Sequence, residues 1–157
     1  MTVKGNPPDD SPGPGDTLGE VLLALGGRLT RLQTEILAGL PQPLTIRQFR
    51  ILSRVDNGHT SLTALSKLAR RNLSTMSESV DKLVTQGLLS RAASETSRRT
   101  MRLTLTPAGR TALEAGNRAL DKFTSELTVH MPQQLQDQVL PALQQVYTEV
   151  QGDLDDR

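Results

Sequence analysis

Leu18, Leu22, Leu25, Leu29, Leu32 and Ile36 recur at alternating intervals of four and three. That rhythm keeps one apolar seam along a single side of a long helix. Val21, Leu23 and Leu37 widen it, and Gly39 and Pro41 mark its end. A seam of this kind serves either an intrachain core or a second copy of the chain, and the spacing alone does not choose.

"LTIRQFRIL" opens with Thr45 and Gln48 in a T-x-x-Q capping box, which predicts a helix from Ile46. Phe49, Leu52 and Val55 form its inner stripe, and it stops before Asp56. Ser61 can cap a short helix with Leu62, Leu65 and Leu68 inside. Arg70 and Arg71 follow at its end, where positive charge suits the helix dipole. Asn72 can cap the next helix, whose apolar face is Leu73, Met76, Val80, Leu83 and Val84; Gly87 ends it. Its opposite face is small and polar: Ser74, Thr75, Ser77, Glu78, Asp81, Lys82 and Thr85.

Beyond Gly87 the period changes. "LLSRAA" (88–93) reads as a strand, and Met101, Leu103 and Leu105 alternate with polar residues as a second strand. Ser94–Arg99 is then the turn of a hairpin, with Arg98 and Arg99 near its tip. Thr106-Pro107 starts a helix carrying Leu113, Gly116, Leu120, Phe123 and Leu127. Met131-Pro132 breaks it. A last helix carries Leu135, Val139, Val146 and Val150, with Pro141 inside as a predicted kink. Residues 1–16, rich in Pro, Gly and Asp, read as a disordered tail. Residues 17–157 read as one domain, with 45–106 as a compact lobe between the long helices 17–39 and 107–151.

Charge separates along this frame. The chain has 157 residues and a formal net charge of only +1. Between Thr45 and Arg110, however, twelve basic residues face four acidic ones, a net +8, so the remainder carries −7. A basic middle between acidic ends points to a polyanion, against the bland alternative of an unevenly charged solvated surface. Phe49, Phe123 and Tyr147 are the only aromatic residues, so the core is aliphatic and suits helices packed on helices.

Helix, helix, helix-turn-helix, two-stranded hairpin and two long C-terminal helices is a mainly α, winged helix-turn-helix order. The chain resembles the MarR (multiple antibiotic resistance regulator) family of transcription factors in "LTIRQF", "LSKLARRNLSTMSESVDKLVTQGLLSR" and "SRRTMRLTLTPAGR". Val80, Asp81, Leu83, Gly87, Leu88 and Arg91 fit the family's recognition-helix pattern. Arg98, Arg99, Leu105, Thr106 and Gly109 fit its wing. Three positions depart: Ser94 and Ser97 replace the wing's usual acids, and Glu78 stands where Arg is frequent.

The resemblance implies a homodimer, joined through the terminal helices, that reads pseudopalindromic double-stranded DNA, with repression as the usual outcome. A winged-helix module that binds protein rather than DNA is the alternative. The recognition helix would enter the major groove and the wing the adjacent minor groove. Arg98 is the candidate for minor-groove insertion, where narrow A/T-rich sequence concentrates negative potential. Arg99 and Arg102 would lie on phosphates or fold back onto the body, and Arg98 and Arg99 would otherwise be solvated turn charges. Ser74, Thr75 and Ser77 suit phosphates or base edges, against ordinary helix-surface polarity; Arg70, Arg71 and Asn72 would flank them. Glu78 would accept from the N4 amino group of cytosine, or pair with Lys82 one turn on.

The resemblance also implies a cleft for a small aromatic or phenolic ligand, for which Arg28, Arg31, Arg47, Phe49 and His59 are candidates. There is no cysteine, which removes disulfides and thiol-based sensing. No phosphate-cradling loop, G-x-S-x-G or paired histidines at helical spacing is present, so neither an enzyme, a cofactor nor a metal is expected. No apolar run approaches the length of a membrane span and the N-terminus has no signal-peptide core, which predicts a cytoplasmic protein with no membrane partner.

Overall fold

The structure, a computed structural model, describes residue 13, residues 15–94 and residues 97–155. The tail expected at 1–16 therefore lies mostly outside the described residues. Six helices and one two-stranded sheet follow in the order α1 (Leu18–Ala38), α2 (Ile46–Asp56), α3 (Leu62–Ala69), α4 (Leu73–Thr85), β1 (Leu89–Ser94), β2 (Ser97–Leu105), α5 (Pro107–Thr128) and α6 (Gln133–Asp155). This is the mainly α winged helix-turn-helix class with long flanking helices. α2 includes Asp56, one residue past its expected stop.

Each helix start has a local chemical cause. Thr17 and Glu20 form a reciprocal capping box on α1, and Thr45 and Gln48 another on α2. Ser61 accepts from the Ala64 N–H, Asn72 from the Thr75 N–H at 2.8 Å, and Thr106 from the Gly109 N–H at 2.9 Å. α3 ends on Arg70 in a left-handed conformation (φ 50°), where glycine is usual. α4 ends ahead of Gly87, whose φ of 71° does suit glycine.

The chain divides into two compact units, Met1–Asn117 and Arg118–Arg157. The core of the first is aliphatic. Leu37 of α1, Ile51, Leu52 and Val55 of α2, Leu65 of α3, and Met76, Val80 and Leu83 of α4 are buried. Leu44 before α2, Leu88, Leu89 and Leu103 at the base of the hairpin, and Ala112 and Leu113 from α5 are buried with them. The Phe49 ring lies against Gly116, so close that a Cβ there would meet it at 2.8 Å. In the second unit the Gln136 amide donates to the carbonyls of Met131 and Thr128, holding the turn between α5 and α6. α6 runs through Pro141 as one helix.

The hairpin extends further than alternation predicts. β1 and β2 pair antiparallel from Leu89↔Leu105 to Ala93↔Met101, then jump to Ser94↔Ser97. Residues 98–100 are thus taken up between consecutive pairs, an irregularity within β2. Arg98 and Arg99 belong to that strand rather than to a turn of 94–99. Period-2 alternation marks only strand segments with one buried face, and the sequence of 97–100 carries no such alternation.

Candidate nucleic-acid interface

α4 is held by its apolar side and shows a polar one. Met76, Val80 and Leu83 are buried, and Ser79 is buried with its hydroxyl donating to the Thr75 carbonyl at 2.9 Å. Ser74, Glu78, Asp81, Lys82 and Thr85 are exposed, while Thr75 and Ser77 are half-buried. Asn72 is engaged as the helix cap. The Arg71 carbonyl accepts from the Ser66 hydroxyl, which fixes the turn leading into α4.

Hairpin and helix are joined by charge. The Arg91 guanidinium of β1 meets the Asp81 carboxylate of α4 at 2.7 Å, and the Ser77 hydroxyl donates to the same carboxylate at 3.4 Å. A partly exposed pair contributes ~0–1 kcal/mol; it ties β1 to α4. The Leu103 N–H donates to the Thr60 carbonyl at 2.8 Å, tying β2 to the segment before α3. Arg102 is exposed on β2 opposite Ala92. The side chains of Arg98 and Arg99 lie outside the described residues.

Glu78 and Lys82 form no ion pair among the described residues. Both line one shallow groove with Asp81, Thr85 and Gln86. Lys82 also borders a second groove with Thr45, Arg47 and Gln48. The Gln48 amide donates to the Gln86 side chain at 2.8 Å, latching the start of α2 to the end of α4.

The residues suggested for a small-molecule cleft are scattered. Arg28 and Arg31 are exposed on α1, Phe49 packs on Gly116, and His59 is exposed in the turn after α2. Arg47 alone of the five lines a cleft of about 310 Å³ between α2 and α4. That cleft also holds Arg50, Arg54 and Arg71 over a floor that includes Ile46, Ile51 and Met76. The Arg54 guanidinium donates to the Leu68 carbonyl at 3.3 Å. Burial, and then the charge of Arg50, lower its pKa from the usual arginine value. Sequence reasoning missed this row, although its signal was present: Arg47, Arg50 and Arg54 fall at intervals of three and four, one face of a helix.

Among the described residues no group of three or more His, Asp or Glu side chains could hold a metal. No described helix is long and apolar enough to cross a membrane.

Known proteins place this geometry. Residues 29–109, just over half the chain, match the model of the winged helix DNA-binding domain. No curated protein sequence is matched significantly. Among solved structures, Streptococcus pneumoniae FabT in complex with DNA superposes with a TM-score of 0.77 at 19% identity, covering 85% of this chain and 95% of its own. Wild-type E. coli MarR in its apo form gives 0.68 at 22% identity, over 83% of this chain and 97% of its own. A probable transcriptional regulator from Pseudomonas aeruginosa gives 0.63 at 26% identity, over 83% and 97%. The exposed polar face of α4, tied to β1 through Arg91, lies within the matched residues, and the chain belongs to the winged helix DNA-binding domain family, with the fold of the MarR regulators.

Proposed function

We propose that this protein is a cytoplasmic transcriptional regulator, acting as a repressor, that binds a pseudopalindromic operator as a homodimer. The observation that carries the reading is the outward face of α4. Its Ser74, Glu78, Lys82 and Thr85 are exposed on a helix fixed from behind by buried Met76, Val80 and Leu83. A rigid helix with short polar side chains fits the major groove, and the wing beside it reaches the minor groove. The MarR fold and the DNA bound by FabT support the same assignment. Release by a small aromatic or phenolic ligand belongs to this proposal, on the strength of the fold. Selection of duplexes from a random pool, followed by gel shift, tests it. Enrichment of an inverted repeat is expected; no enriched sequence would leave a protein-interaction module.

The wing supplies part of the affinity. Arg98→Ala is expected to weaken binding by ~1–3 kcal/mol, more on an A/T-rich flank than on a G/C-rich one. Equal loss on both flanks would make Arg98 a plain phosphate contact, and no loss a solvated charge.

Glu78 supplies discrimination. An ionised carboxylate only accepts hydrogen bonds, so within the groove its partner is the cytosine amino group. Lys82 does not hold it in an ion pair. Glu78→Ala should tolerate other bases at one position of each half-site and bind mixed-sequence DNA more tightly. An unchanged base-preference profile would rule out the reading role, whatever the affinity.

A further inference from the structure

The outward face of α4 is poorly equipped to hold phosphates. Glu78 and Asp81 repel them there, and Arg91 is committed to Asp81 at 2.7 Å. The cation density lies instead along the flank of α4 that meets α2. Arg71, Arg54, Arg50 and Arg47 line the cleft, and Arg47 continues into the groove that holds Lys82. No acidic residue lines either, and among the described residues no carboxylate pairs with these four arginines. Like charges gathered without counter-ions repel, and an anion would relieve that repulsion.

We infer that this row, Arg47, Arg50 and Arg54 of α2 with Arg71, is a track for the phosphates of one DNA strand beside the groove that α4 enters. It rests on the regulator reading and deepens it. From Arg47 to Arg54 the α2 axis advances about 10.5 Å, and phosphates of one strand recur every ~3.4 Å along the duplex axis. The row therefore spans about three phosphate steps along one strand. Guanidinium groups suit it because each donates a planar fork to phosphate oxygens. A free organic anion would use the same chemistry in a closed pocket. Here the charges run alongside α4 past the cleft to Lys82, which fits a strand better than a compact ligand.

The test compares wild type with the double variant Arg47→Gln/Arg50→Gln on a selected duplex and on a mixed-sequence duplex, over a range of salt. The slope of log affinity against log salt should become shallower by about 1.8, roughly 0.9 for each lost contact. Affinity for both duplexes should fall by the same factor, with base preferences unchanged. The Arg47→Lys/Arg50→Lys variant should keep the wild-type slope and so exclude misfolding. If wild type binds DNA and the Gln variant keeps its slope, the track is overturned and the regulator reading stands. If wild type binds neither duplex, both fall. Inorganic phosphate that raises the melting temperature of wild type but not of the Gln variant, with an unchanged DNA slope, would assign the row to a free anion and also overturn the track.

Discussion

Gly109→Ala is expected to remove most of the protein's stability. Gly109 sits in the first turn of α5, buried, with its N–H donating to the cap hydroxyl of Thr106. A Cβ built there would lie 1.9 Å from the Leu88 carbonyl oxygen and 2.9 Å from its carbon. That oxygen also accepts from the Thr106 N–H at 3.2 Å. The obstacle is backbone in the strand-side wall of the same joint, so no rotamer change relieves it. Relief means prising the start of α5 from the hairpin and unsealing Leu88, Leu89 and Ala112, which are buried now. A loss above ~4 kcal/mol is expected, the range reserved for specific steric or cavity failures, against a typical total of ~5–15 kcal/mol. Gly116→Ala is the internal comparison. Its added methyl meets the Phe49 ring, a side chain that can shift, so overpacking of ~1–3 kcal/mol is expected. Denaturant midpoints of the two variants measure both. A Gly109→Ala protein within ~1 kcal/mol of wild type would show that the joint is loose, contrary to this account.

The same glycine shows what was legible in the sequence. Helix starts were legible because a cap is a contact between neighbours in the chain: Thr45 with Gln48, Asn72 with Thr75 and Thr106 with Gly109 all act across three residues. Much of the aliphatic core was legible from period, but Leu68 and Leu73, which the same rule placed inside, are exposed at the helix ends, and Ile51 is buried beside the expected stripe of α2. Close approach was not, since the Leu88 oxygen that demands Gly109 lies far off in sequence. The outer hairpin was illegible because 97–100, all polar or charged, carry no alternation to mark a strand. The arginine row of α2 went unread because attention to the apolar stripe of Leu52 and Val55 passes over the polar face beside it. The ligand-site residues came from resemblance rather than from contacts, and the structure disperses them. Asp81 was visible as one polar residue of α4, but its tie to Arg91 needed the third dimension.

Leu25→Glu combined with Leu143→Glu is expected to give a folded monomer that has lost its operator. The seam of α1 leaves only Leu37 buried; Leu18, Leu23, Leu25 and Leu32 remain exposed. In the second unit Leu135, Leu140, Leu143, Tyr147 and Val150 are exposed as well. Each helix by itself thus presents apolar side chains repeated at helical spacing, and in the proposed homodimer a second copy would cover them. Placing a carboxylate on each helix makes that burial unfavourable, because an unpaired charge cannot be desolvated cheaply. Neither residue belongs to the core of the α2-to-wing lobe, so the lobe should keep its cooperative melting. Operator binding should suffer far more than folding. In the proposed dimer two lobes would engage two half-sites, and the second engagement would be intramolecular, raising affinity by about 10²–10⁴ over a single lobe. Sedimentation should therefore report a monomer, and gel shift a loss of that order on the selected inverted repeat. On a duplex with a single half-site the variant should bind nearly as well as one wild-type lobe. A variant that stays dimeric would move the interface elsewhere on the chain. A monomer that keeps full affinity for the inverted repeat would end the case for reading it as a dimer.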